Sequence, residues 1–207
     1  MPQDPPRNTL VVNADGTLSS YDQGAQNWGN HGFWHGWALK MLAFRTPGVV
    51  YQLGTEGNVR TTGDATDFTG NLGGWTLDWI AFQPSGELWG VGTEGNVGTY
   101  HGSWQDYGVW GGWTLRMIAF DTGGGMWGVG TDGNLGSWNF DDRSWKDVTA
   151  AFGGWTLKMV AFHKDGSMWC VGDDGNIGKL EGGRWADYGL VAGQQVKSIV
   201  FDPAGTA

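Results

Sequence analysis

The feature that most constrains this chain is that it repeats itself. Four tryptophans, Trp37, Trp75, Trp113 and Trp155, each open the pattern W-[AT]-L-x-[MW]-[LIV]-A-F, at spacings of 38, 38 and 42 residues. A degraded fifth copy, "QQVKSIVF", runs from Gln194 to Phe201 and begins 39 residues after Trp155. Each full copy passes through a turn ("RTPG", "QPSG", "DTGG" or "HKDG") into a second apolar run. That run ends in G-[TD]-[ED]-G-N, at Asn58, Asn96, Asn134 and Asn176. A short third run follows, then W-x-[DN], at Trp28/Asn30, Trp104/Asp106, Trp145/Asp147 and Trp185/Asp187. The second copy has no tryptophan there, and Thr66 or its neighbour holds the place. A period of this length marks one supersecondary unit that cannot cover its own apolar surface and must stack on its neighbours.

Turn chemistry says what the unit is. Four short apolar or aromatic runs separated by Gly-, Asn- and Asp-bearing turns make a four-stranded antiparallel meander. The first run is apolar on both sides. Period-two alternation in "LRMIAF" puts Leu115, Met117 and Ala119 on one face and Ile118 and Phe120 on the other. Such a strand needs cover on both faces, and neighbouring sheets of a ring supply it. The expected fold is therefore all-β, a β-propeller of four-stranded antiparallel sheets.

The chain ends set the number of blades. "QQVKSIVFDPAGTA" supplies a first strand and its turn and then stops, whereas the N-terminal segment starts at the second run, Val12 to Leu18 aligning with Val91 to Val97. Each end holds what the other lacks, so the terminal strands pair and close a ring of five without an open edge. The expectation is one domain over residues 1–207. Its blades lie near 9–36 plus 194–207, 37–74, 75–112, 113–154 and 155–193.

Bulk composition narrows the function classes. In 207 residues, 39 glycines and 15 tryptophans stand far above ordinary usage while prolines number 6, a mix unlike a disordered linker. A net charge of −9 argues against electrostatic binding of nucleic acid or an anionic membrane. No apolar stretch is long enough to cross a bilayer, so membrane insertion is not expected. The opening "MPQDPPRNTL" has no apolar core of a signal peptide, which leaves the cytoplasm or export by another route. Cys170, the one cysteine, lies in a strand-like run and reads as a buried structural thiol.

"GGW" followed by an apolar strand, a P-x-G-like turn and "LWGVG" resembles the tachylectin-2 type of lectin, with tectonin-type propeller lectins as cousins. The resemblance spans the whole chain through its repeat. It implies a five-bladed propeller that binds N-acetylglucosamine or N-acetylgalactosamine at several equivalent sites between blades. Two features depart from that family: the repeats here are shorter, and Thr or Ala follows each repeat tryptophan.

The residue chemistry suits the same ligand. Sugars offer an apolar C–H face plus hydroxyls, which match an indole beside amide, carboxylate and backbone donors. Candidate contacts are Trp37, Trp75, Trp113 and Trp155, the glycines before three of them (Gly74, Gly112 and Gly154), and Asn30, Asp106, Asp147 and Asp187. Strand period places the two residues of W-x-[DN] on one face. Each reading has a purely structural rival. The repeat tryptophans serve either packing or sugar contact. The acids hydrogen-bond either a ligand or their own turn backbone. Trp89, Trp127 and Trp169, in the second run, read as packing between blades. The weakest sites are expected where Gln194 replaces the tryptophan and in the repeat that carries Thr66.

Other chemistries find less support. The G-[TD]-[ED]-G-N turns bring too few carboxylates for a calcium cage and read as tight hairpin turns. The basic position Lys40, Arg116, Lys158 and Lys197, with Asp78 in the remaining copy, is expected near one mouth of the central channel, as a solvated rim or an anion site. His31 and His35 have no partner cysteine or acid cluster, and His101 and His163 are isolated, so no metal or other cofactor is expected. No nucleophile elbow, phosphate loop or unique acidic pair stands outside the repeat. A multivalent binder, monomeric and without catalysis, is the expectation. A protein-docking scaffold and, less favoured, a glycoside hydrolase are the alternatives.

Overall fold

The computed structural model describes residues 9–22, 24–33, 36–61, 69–191 and 193–202. It is a five-bladed β-propeller. In chain order its strands are β1 (Thr9–Asn13), β2 (Leu18–Asp22) and β3 (Asn27–Gly32). Next come β4 (Leu39–Thr46), β5 (Val49–Gly54) and β6 (Val59–Thr61), then β7 (Leu77–Phe82), β8 (Leu88–Gly92), β9 (Val97–Tyr100) and β10 (Trp104–Asp106). The fourth group is β11 (Leu115–Phe120), β12 (Met126–Gly130), β13 (Leu135–Asn139) and β14 (Ser144–Asp147). The last is β15 (Leu157–Phe162), β16 (Met168–Gly172), β17 (Ile177–Glu181) and β18 (Arg184–Gly189), followed by β19 (Val196–Phe201).

Blade 1 has the order β19-β1-β2-β3, so the last strand of the chain sits beside the first. The pairing is antiparallel, with Thr9 opposite Phe201 and Val11 opposite Ile199. Blades 3, 4 and 5 are the meanders β7–β10, β11–β14 and β15–β18. Blade 2 shows β4-β5-β6 among the described residues, and the place assigned to Thr66 lies outside them. The first strand of each blade faces the centre. Together β4, β7, β11, β15 and β19 surround a channel of about 210 Å³ walled by residues such as Leu42, Ile80, Ile118, Val160 and Ile199.

One expectation needs correction. Leu115 pairs with Gly130 but Met117 pairs with Val129, so the register shifts by one residue at Arg116. This β-bulge interrupts the alternation. Leu115 and Met117 therefore lie on opposite faces, and Leu115 shares its face with Ile118. The same shift falls at Lys40, Asp78 and Lys158, and β19 shows it at Lys197. In all five blades the bulge residue is charged, and in β7, β11 and β15 it is the one polar residue of an otherwise apolar strand. The bulge re-aims that side chain while its neighbours stay buried.

Blades meet through one recurrent contact. In four of the five blades the second-strand aromatic packs on the phenylalanine ending the first strand of the next blade. Tyr51 lies 4.8 Å from Phe82, Trp89 5.8 Å from Phe120, Trp127 5.8 Å from Phe162 and Trp169 5.9 Å from Phe201, between ring centroids. The reading of Trp89, Trp127 and Trp169 as inter-blade packing is thus what the geometry shows. Aromatic pairs at such distances add about 0.5–1.5 kcal/mol each beyond burial of area.

Backbone contacts tie the seams as well. The Leu115 amide donates to the Gly95 carbonyl of the preceding blade at 3.4 Å, and the Leu157 amide to Gly133 at 2.9 Å. Gly95 has φ of 77°, and a β-carbon there would stand 2.5 Å from the Thr114 methyl and 3.1 Å from the Leu115 backbone. A side chain there would be strained by the backbone and blocked by the next blade. This is why the turn closing the second strand carries glycine.

Candidate functional site

The repeat tryptophans lie flat on glycine. In blade 4 the residues Gly128, Gly130 and Gly136 occupy one face of the sheet. A β-carbon at Gly136 would stand 3.1 Å from the Trp113 ring and 3.2 Å from that of Trp145, and one at Gly128 would stand 2.8 Å from Trp145. Two indoles thus fill the space that the missing side chains leave. They stack on each other with centroids 5.9 Å apart and planes inclined by 30°. Trp75 and Trp104 repeat the pair in blade 3 at 5.1 Å, and Trp155 and Trp185 in blade 5 at 6.5 Å. In blade 2 the Arg60 guanidinium takes the partner's place, 5.5 Å over the Trp37 ring. Packing is therefore one role of these four tryptophans, yet all four stay half-buried, each keeping part of its ring at the surface.

The preceding glycines shape the approach. Gly74, Gly112 and Gly154 have φ of 87°, 76° and 71°, and nothing lies within 4 Å of where a β-carbon would point. In blade 4 the loop before the tryptophan is pinned by the Trp145 indole, whose N–H donates to the Trp110 carbonyl at 2.9 Å. The loop is held from beneath and open above.

The acids take the structural alternative. Asp106 accepts the Gly108 amide at 2.7 Å, Asp147 the Thr149 amide at 2.9 Å and Asp187 the Gly189 amide at 2.7 Å. Asn30 accepts the Gly32 amide at 2.7 Å in the same way. Each closes the turn after its fourth strand through Oδ1. In two blades the second oxygen is also engaged. Oδ2 of Asp106 accepts from the Asn96 carboxamide at 3.3 Å, and Oδ2 of Asp187 from that of Asn176 at 3.2 Å. The asparagine of G-[TD]-[ED]-G-N was read from sequence only as a turn residue. In blade 3 it joins the acid to the tryptophan, because Asn96 and Trp75 both lie against Gly92, while in blade 5 Gly178, paired with Asp187, lies against Trp155. The fixed spacing of that asparagine after each tryptophan was the available signal.

The structure thus brings Gly74, Trp75 and Asp106 to one corner of blade 3, and Gly154, Trp155 and Asp187 to the matching corner of blade 5. Gly112, Trp113 and Asp147 lie at the corresponding places of blade 4. Asn30 stands apart from any repeat tryptophan, since Gln194 holds that position in blade 1, its amide bonded to the Val191 carbonyl at 2.8 Å. In blade 2 a cavity of about 250 Å³ opens between Trp37, Gly36 and Ala38 on one side and Gly54, Thr55, Glu56 and Asn58 on the other. An indole, a carboxamide, a carboxylate and backbone amides line this one hollow.

Two of the first-strand cations are paired. Lys40 contacts Asp78 at 2.5 Å, and Arg116 binds Asp173 at 2.9 Å while also donating to the Leu157 and Thr131 carbonyls at 3.2 and 2.6 Å. Two of the four cations proposed for the rim are engaged in ion pairs. Among the described residues no three His, Cys, Asp or Glu side chains converge as metal ligands, and no helix is long and apolar enough to cross a membrane.

No family model and no curated protein matches the chain. Solved structures do match in fold. YCF48 bound to D1 peptide aligns over 90% of this chain and 82% of that one, at a TM-score of 0.57 and 14% identity. A streptogramin B lyase aligns over 90% and 70%, at 0.53 and 13%. A catalytically inactive virginiamycin B lyase from Staphylococcus aureus with quinupristin aligns over 91% and 73%, at 0.53 and 12%. At such identities the likeness is one of fold.

Proposed function

We propose that the chain is a non-catalytic, multivalent sugar-binding propeller of the tachylectin-2-like type, taking N-acetylated amino sugars at the repeated tryptophan corners. The observation that carries this reading is the hollow of about 250 Å³ at Trp37, where a half-buried indole faces Asn58, Glu56 and the Gly54–Thr55 backbone, although this is the Thr66 repeat whose site the sequence led one to expect weak. The partly open ring suits the C–H face of a pyranose, and the polar groups suit its hydroxyls and acetamido group. Trp75, Trp113 and Trp155 present the same indole, next to open backbone at Gly74, Gly112 and Gly154. Several weak sites on one rigid ring convert modest affinity into avid attachment to a glycan-coated surface.

Titration calorimetry with N-acetylglucosamine tests the proposal. Binding of several sugars per chain is expected, with fewer than five sites because Gln194 replaces the blade 1 indole. Trp37→Ala is expected to remove one site and leave the others. A folded Trp37→Ala variant with unchanged stoichiometry would contradict the assignment. A glycan array identifies the sugar in the same protein.

A protein-docking platform is the second reading. It is favoured by the alignment with a propeller structure that holds a peptide. Absence of heat with every glycan, together with peptide capture, would select it.

A further inference from the structure

The five seams of the ring are not alike. Four carry an aromatic ring against the next blade's phenylalanine, and the seam between blades 1 and 2 does not. Alignment of β1 with β8 and β12 puts Leu10 at the position of Trp89 and Trp127. Leu10 accordingly belongs with Val12, Leu18, Leu39 and Leu42 to a small apolar cluster separate from the main core, against which Phe44 and Val50 pack. The missing indole leaves a cavity of about 330 Å³ lined by Leu10, Leu18, Leu42, Phe44, Gly48 and Val50, with Ser20, His31 and Asp202 as its polar members.

Blade 4 shows what this geometry accommodates. There Asp121, the residue after Phe120, accepts the indole N–H of Trp127 at 3.0 Å. Asp202 follows Phe201 in the same way and is buried, with 6% exposure, beside the space that Leu10 leaves. Asp202, which has contacts of its own, is thus the counterpart in blade 1 of the acceptor found in blade 4. At another part of the wall Ser20, paired across the strands with Leu10, lies 2.7 Å from His31 Nε2 through its hydroxyl, so a second polar pair is present.

We propose that the seam between blades 1 and 2 is a binding pocket for a flat, indole-class aromatic ligand. Its ring takes the place of the second-strand tryptophan against Phe44, and its N–H donates to Asp202. The cavity falls within the size range of small-molecule sites, roughly 300–1,000 Å³. Its walls are apolar with a few polar groups at defined places, as such sites require. The pocket is distinct from the tryptophan corners and does not depend on sugar binding.

Ligand-observed NMR with indole, followed by calorimetric titration, tests the proposal on the native protein, with 1-methylindole as the probe that keeps the ring and lacks the donor. Indole is expected to bind one site per chain, and 1-methylindole about ten-fold or more weakly, since a hydrogen bond to a carboxylate is lost. Asp202→Asn is expected to shrink that ratio, and Leu10→Trp, which fills the pocket from within, to abolish indole binding. N-acetyltryptophanamide distinguishes sources: its binding points to a tryptophan of a peptide, its exclusion to a free small molecule. The proposal is overturned if native protein does not bind indole, if both indoles bind equally, or if folded Leu10→Trp binds indole as the native chain does. Should Leu10→Trp fail to fold, the two-probe comparison on native protein still decides.

Discussion

Gly136 shows how this protein uses its commonest residue. Its value here lies in the absent side chain, because Trp113 and Trp145 rest where one would stand. Gly136→Val is therefore expected to lower stability by about 1–3 kcal/mol through overpacking, measured by urea denaturation. Leu10 is the converse case, a side chain too small for its seam. Leu10→Trp is expected to raise stability by about 1–2 kcal/mol in the same assay, by burying ring surface that the native seam leaves without a partner. Cys170 sits opposite Gly178 in the second strand of blade 5, fully buried. Burial pushes its thiol up, and the Asp174 and Asp187 carboxylates act in the same direction. Modification by a disulfide reagent at pH 8 is expected to proceed only at the rate of unfolding. Because the folded thiol holds its proton to higher pH than the unfolded one, this group's contribution to stability falls as pH rises beyond about 9.

At the scale of the strand, the bulge in each first strand is the device that combines burial with a polar rim. Lys40, Asp78, Arg116, Lys158 and Lys197 occupy the extra residue, so the flanking apolar residues remain covered. Lys40 and Asp78 are both partly exposed, with side-chain accessibilities of 28% and 42%. A double-mutant cycle of Lys40→Met and Asp78→Asn is expected to give a coupling below about 1 kcal/mol that weakens with added salt. The fourth strands have another task. Each of the four described ends in an Asx turn whose carboxyl or carboxamide oxygen holds the backbone amide two residues on, which fixes the start of the loop leading to the next blade's Trp37, Trp113, Trp155 or Gln194.

For the whole molecule, closure decides whether the blades form a ring. β19 supplies the inner strand of blade 1 and so joins the two ends of the chain in one sheet. Removing residues from Val196 onward is expected to leave β1 as an open edge and to expose the inner faces of blades 2 and 5. Loss of cooperative thermal unfolding and appearance of aggregates by size-exclusion chromatography would follow. A truncated chain that still melted in one sharp transition would show that the ring does not rely on this strand. Four of the five seams carry the aromatic pair, and cavities of about 330 Å³ between blades 1 and 2 and about 420 Å³ between blades 2 and 3 form without breaking the circle.

Much of the architecture was legible in the residues. The tryptophan period, the glycine- and asparagine-bearing turns and the complementary chain ends specified five sheets and their closure, since these signals are local or act by simple repetition. Folding geometry alone decided the rest. A bulge at Arg116 reversed the face expected of Met117, because register is set by the partner strand and not by alternation within one. Asp106, Asp147 and Asp187 were identified as site candidates, yet their first duty is to close turns. Trp113 was open between packing and recognition, and serves packing while keeping part of its ring at the surface. The cavity behind Leu10 emerges only when strands about forty residues apart meet across a seam, where a missing ring has no neighbour to replace it.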